Sequence, residues 1–248
     1  MCTRCDGVER GREAGQTRRG FFKLAGATLG ALALAATGAD RVFAAGETPK
    51  PQNVLTPAEA WARLKRGNER YVDGVTKRHD FASEREALAG GQNPFAGILS
   101  CADSRIAPEY AFDSGRGDLF VVRVAGNFAD RNGIASFEYT VKFLGTPLLV
   151  VLGHDKCGAV DATIKVVKDN AELPGHLPEL VDHIVPAVKS ALTQPGDLLA
   201  NAIRENVLLN VEKLKTASPI LSESVSSGKV QVVGGIYKLA TGHVEWVS

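Results

Sequence analysis

Two rhythms of apolar and polar residues divide the chain. From residue 95 onward, largely apolar runs at 95–99, 119–124 and 148–152 alternate with longer segments whose apolar residues recur every three or four positions. The runs are too short for buried helices and too uniformly apolar for strands with one wet face, so they predict strands covered on both sides. Helical spacing predicts helices over 134–143, 159–168, 180–192 and 197–215, with a short one near Pro108. A last strand is expected over 230–239, and Thr241-Gly242 followed by 243–247 reads as a hairpin return at a sheet edge. Strand, helix, strand repeats joined by right-handed crossovers make this an α/β fold, a central mostly parallel β-sheet flanked by helices.

Ahead of the sheet, Thr56-Pro57-Ala58-Glu59 combines an N-cap, a proline at the first helical position and an acid three residues beyond the cap. It predicts a helix carrying Trp61, Leu64 and Tyr71 to about residue 72. A second helix over 83–89 completes an N-terminal helical arm.

The first 44 residues follow a different logic. Thr17-Arg18-Arg19-Gly20-Phe21-Phe22-Lys23 precedes a weakly apolar run at 24–36 and the small-residue sequence Val42-Phe43-Ala44. Basic, apolar and cleavable segments in that order read as an export signal, and the apolar part falls short of the ~20 residues that span a bilayer. The paired arginines resemble a twin-arginine signal, whose export machinery carries proteins already folded around their cofactors. The expected organisation is a signal peptide at 1–44, a flexible leader at 45–55 and one folded domain at 56–248, with a periplasmic or secreted destination. Without residues 1–44, 22 basic residues face 24 acidic ones, which leaves no basic stripe for nucleic acid.

Candidate chemistry sits just past two of the predicted strands. Residues 100–105 read SCADSR, and alternation along an extended segment puts Cys101, Asp103 and Arg105 on one face. Gly153-His154-Asp155-Lys156-Cys157-Gly158 follows the strand at 148–152. Sites on parallel sheets form at the carboxyl ends of strands, so these two segments can meet although about fifty residues separate them. Cys2 and Cys5 fall inside the export signal, which leaves Cys101 and Cys157 as either a disulfide or a pair of metal ligands. His154, three residues before Cys157 on a glycine-flanked turn, favours the metal: two thiolates and an imidazole suit zinc and keep one position open. His79, His176, His183 and His243 lie in loop, helix and edge settings and read as surface or packing residues. Asp103 could be a fourth ligand or an acceptor for a hydrogen bond from water, and a bidentate grip by Arg105 favours the acceptor.

The pairing of Cys-x-Asp-x-Arg with a distant His-x-x-Cys resembles the β-class carbonic anhydrases, from about residue 56 to the C-terminus. The resemblance implies one zinc per subunit on Cys101, His154 and Cys157, with Asp103 and Arg105 as the catalytic dyad. It implies reversible hydration of carbon dioxide to bicarbonate and a proton, by attack of zinc-bound hydroxide. Gln92, Phe120, Tyr139 and Gly158 resemble the substrate-contacting positions, the first three those of the plant-type branch with its open site. Implied partners are carbon dioxide or bicarbonate and further copies of the chain, in a homodimer or higher homo-oligomer whose helical arm wraps the neighbour. His79, Tyr139 and Asp155 are the candidates for relaying the proton. Three rivals stand beside this reading: a hydrolase of carbon disulfide or carbonyl sulfide on the same scaffold, a non-catalytic zinc- or bicarbonate-binding protein, and a redox protein with a Cys101–Cys157 disulfide.

Overall fold

The apolar runs become three strands of a five-stranded sheet, those at 95–99 and 148–152 inner and fully buried and the one at 119–124 a half-buried edge, in a computed structural model that describes residues 54–77 and 81–248. The expected signal peptide, the leader as far as residue 53 and His79 lie outside the described residues. The strands are β1 (Ala96–Ser100), β2 (Leu119–Arg123), β3 (Leu148–His154), β4 (Gln231–Tyr237) and β5 (Val244–Trp246). They lie in the order β2-β1-β3-β4-β5, the first four parallel and β5 antiparallel to β4, as the hairpin return requires. Every residue of β1 and β3 is buried, because helices cover both faces of the sheet.

Side-chain alternation divides the core in two. Leu99, Leu149, Val151 and Val232 point to one face, under α4 (Arg131–Leu144), α5 (Gly158–Asp169), α7 (Val185–Ala191), α8 (Leu198–Thr216) and α9 (Ile220–Ser226). Ile98, Leu148, Val150, Leu152 and Val233 point to the other, under α1 (Pro57–Val72) and α3 (Pro108–Ala111). On the first face α8 presses directly on the sheet at Val207. A Cβ at Gly153 would come within 2.6 Å of one Val207 methyl, and a Cβ at Gly234 within 2.6 Å of the other, so both strands need glycine there.

Two helical expectations change. The helix expected over 180–192 is two pieces, α6 (Leu177–Asp182) and α7, broken at His183 and Ile184. Pro186 explains the break: in the first turn of α7 its missing N–H is harmless, but it cannot continue α6. Helix α9 was not foreseen, since three serines in seven residues leave no apolar stripe to read. The arm helices α1 and α2 (Phe81–Leu88) form close to their expected limits.

Part of the arm's apolar face packs on its own chain. Leu64 is fully buried in this chain's own core, Trp61 meets Trp246 edge to face at 5.8 Å, and the Tyr71 hydroxyl lies 3.0 Å from that of Tyr237. Asn68, buried in the same helix, donates to the carbonyls of Ala111 and Gly242 and accepts from the Val244 N–H. Those three bonds fasten α1 to α3 and to the C-terminal hairpin. Of the stripe of Trp61, Leu64 and Tyr71, Leu64 is covered by its own chain, while Trp61 and Tyr71 are only partly buried.

Candidate active site

Three buried side chains converge at the carboxyl edge of the sheet. Cys101 follows β1, His154 ends β3 and Cys157 is the N-cap of α5, and their ligand atoms all lie within 4.8 Å of one another. The two-residue link from His154 to Cys157 is tight enough that Lys156 takes a left-handed φ of 53°. Both cysteines are free, so the disulfide on which the redox rival depends is not formed. Gly126 donates its N–H to the Cys101 sulfur at 3.3 Å. Its φ of 84° and the 2.5 Å that would separate a Cβ there from Ile184 leave no room for another residue.

The imidazole of His154 is oriented for a ligand. Its Nδ1 lies 2.8 Å from the Asp155 carbonyl oxygen, and a carbonyl only accepts, so the proton sits on Nδ1. Nε2 is buried without a hydrogen-bond partner and carries the lone pair. An orphaned acceptor between two sulfurs is what a zinc ion would complete, and the donor chemistry fits.

Electrostatics agree. The Cys101 thiol is pulled down to about 4, chiefly by its hydrogen bond with Cys157, while that same bond and burial push Cys157 up. Burial opposes charge on His154, yet the adjoining Cys101 sulfur outweighs it and raises its pKa.

Asp103 stands beside this set, its Oδ2 3.8 Å from His154 Nε2. Arg105 holds it with two parallel bonds, Nε to Oδ1 at 2.9 Å and Nη2 to Oδ2 at 2.7 Å, and its backbone N–H adds a third to Oδ1. That grip holds the carboxyl well below the usual carboxylate range, so Asp103 is an acceptor at any physiological pH. A further bond from Arg105 to the Lys156 carbonyl, at 3.4 Å, ties the two ligand-bearing turns together.

Arg123, which closes β2, was missed by the sequence reading. Its guanidinium donates to the carbonyls of Cys101, Asp103 and Ile106 at 3.0, 2.8 and 2.9 Å, so one side chain cradles the whole turn that carries the thiolate and the dyad. The one available signal was a charge ending an otherwise apolar run, LFVVR.

The remaining candidates are not brought to the cluster within this chain. Phe120 pairs in register with Gly97, so along the strands it sits four residues, or about 13 Å, short of Cys101. Tyr139 packs on Phe120 at 6.2 Å and on Phe143 at 5.6 Å, forming an aromatic row at the opposite end of the sheet. Gln92 is exposed, ahead of β1 at that same end. Gly158, at the start of α5, is exposed, and a Cβ there would meet nothing within 4 Å, so close approach does not require glycine. Asp155 accepts from the Leu239 N–H at 2.8 Å, a tie to the end of β4.

A buried Cys2His set with a free imidazole nitrogen and a gripped carboxylate beside it, on the carboxyl edge of a parallel sheet, defines a metalloenzyme site. A family model described as carbonic anhydrase matches residues 96–244. The chain is 40% identical over 191 residues to carbonic anhydrase 2 of Mycobacterium tuberculosis, spanning 75% of this chain and 90% of that protein. It is 39% identical over 195 residues to the carbonic anhydrase of Mycolicibacterium smegmatis, spanning 76% and 92%. Among solved structures it resembles the β-carbonic anhydrase CcaA, with a TM-score of 0.59, 29% identity and coverage of 76% of this chain and 95% of that one. The β-carbonic anhydrase of Coccomyxa, solved with acetazolamide, gives 0.58 at 26% identity, covering 77% and 82%. The chain belongs to the β-class carbonic anhydrase family.

Proposed function

We propose that this protein catalyses the reversible hydration of carbon dioxide to bicarbonate and a proton. The observation that carries the reading is the buried Cys101, His154 and Cys157 set with Asp103, held by Arg105, beside its open side. Those three residues would hold zinc, whose Lewis acidity brings the pKa of water from about 15.7 toward neutrality. Two thiolates donate more charge than imidazoles would, so turnover rises on the alkaline side of neutral. Asp103 accepts the hydrogen bond of the attacking water and orients its lone pair, and Arg105 keeps the carboxylate charged and turned. Arg105 takes one lone pair from each oxygen of Asp103 and fixes the carboxylate as a hydrogen-bond acceptor, which favours the open, plant-type site over closure by Asp103 as a fourth ligand.

Gln92, Phe120 and Tyr139 sit too far along the sheet to touch substrate at their own chain's cluster. They serve the reaction from a second copy, which makes a homodimer the smallest complete unit. Tetrameric β-carbonic anhydrases of Sordaria macrospora are among the structural relatives, at a TM-score of 0.58 and 25% identity, covering 77% of this chain and 93% of theirs. The leader carries the protein out of the cytoplasm by the twin-arginine route, a reading that rests on Arg18-Arg19 and the segments after them. Replacing both arginines by lysine should hold the protein in the cytoplasm, and unchanged export would end that reading.

Stopped-flow hydration of carbon dioxide by the zinc-loaded protein, with Asp103→Asn alongside, tests the main reading. Fast turnover that collapses in the variant is expected. A zinc-loaded wild type that hydrates no carbon dioxide but hydrolyses carbon disulfide or carbonyl sulfide would replace the substrate, and one inactive on all three would leave a binding protein.

A further inference from the structure

Two asparagines one turn apart on α8 are buried in an otherwise apolar helix face, Asn206 at 1% and Asn210 at 2% exposure. Polar side chains in such a place are retained for what they bond. Asn206 Nδ2 donates to the Gly126 carbonyl at 2.7 Å. Asn210 Oδ1 accepts from the Ala129 N–H at 2.8 Å, while its Nδ2 donates to the carbonyl and side-chain oxygens of Asn206 at 2.8 and 3.1 Å. The pair therefore clamps both ends of the turn from Gly126 to Ala129, and that turn presents the Gly126 N–H to the Cys101 sulfur.

We propose that Asn206 and Asn210 are positioning residues for the metal site, anchoring the 126–129 turn so that the Gly126 N–H stays aimed at the Cys101 sulfur. An N–H bonded to a ligating thiolate draws charge from the sulfur and sets how strongly it donates to the metal. Outer partners of this kind orient ligands and tune the ion they hold. The inference rests on the metal reading given above and adds two residues, neither of which touches the metal, substrate or dyad.

The test uses cobalt in place of zinc and reads the thiolate-to-cobalt charge-transfer band of Asn206→Ala and Asn210→Ala. With the N–H withdrawn the sulfur becomes a richer donor, so the band should move to longer wavelength, while losing the bond that orients the ligand should lower zinc affinity about 10-fold or more. Leu214→Ala, fully buried at the far end of the same helix, should destabilise the protein and leave the band in place. A cobalt-loaded Asn206→Ala protein with an unmoved band overturns the proposal. Should neither asparagine variant fold, wild type loaded with cadmium-113 decides by NMR. The Gly126 amide proton must couple to the metal through sulfur, and the Asn206 side-chain amide to the Gly126 carbonyl carbon; absence of either coupling overturns it. A wild type that takes up no metal at all would sink the metal reading itself.

Discussion

The two ends of the parallel sheet carry different kinds of side chain. At the carboxyl end, Cys101, His154 and Cys157 are buried, and backbone groups and arginines fix each turn around them. At the amino end, Phe120, Tyr139 and Phe143 form a half-buried aromatic row, and Gln92 is exposed. The first end assembles the metal-ligand cluster and its dyad within one chain, while the second carries the aromatic row. Residues that one family motif collects need not be neighbours in one chain, because strand register decides which end each belongs to.

Substitutions can break this contrast or sharpen it. Cys101→Ser and His154→Ala should break it outright: metal analysis should find the zinc lost and stopped flow the turnover gone. Asp103→Asn comes next, with zinc retained and turnover down by about 100-fold or more. Arg123→Met should cost about 10–100-fold in zinc affinity or activity by loosening the turn it cradles. Tyr139→Ala and Phe120→Ala should leave zinc content untouched and change turnover only a few-fold, with the larger change in oligomeric state by sedimentation. Zinc loss in either aromatic variant would show that the two ends are not independent.

Asp113→Asn provides the mildest effect on turnover and a pH signature of its own. Burial alone would raise the Asp113 carboxyl, but the Lys77 N–H and Arg70 outweigh it and hold its pKa down. A depressed carboxyl stabilises the fold above its ordinary value of about 3.9 and loses that contribution as pH falls through the folded value. Urea midpoints should therefore separate wild type from the variant at pH 6, and the gap should close as the pH falls through the depressed value of the folded carboxyl.

Legibility in the sequence followed how locally each role is written. Cys101, Asp103, Arg105, His154 and Cys157 were readable because two short motifs at strand ends carry them. The strands and the capped start of α1 were readable because apolar runs and capping chemistry are local too. Arg123, Asn206 and Asn210 were not, since their partners are main-chain groups of distant turns, and a carbonyl leaves no trace in a sequence. The place of Gln92, Phe120 and Tyr139 was hidden for another reason: their residue types matched a family pattern, but register, which sets position, is a property of the paired strands. The apolar stripe of α1 was legible, but not that Leu64 lies in this chain's own core, because amphipathicity says that a face is covered and not by what.

The position of β3 between β1 and β4 also sets an order of events in time. All three metal ligands have been synthesised once residue 157 leaves the ribosome, yet the second edge of β3 waits for residues 231–237, and the α8 clamp on the 126–129 turn for residues 198–216. At synthesis rates of about 5–20 residues per second, the span between β3 and β4 takes about 4–15 s to make. During that interval the nascent chain holds two thiols without the neighbours that bury them. Until the last strand closes the sheet, those thiols lack part of the packing that buries them in the folded chain.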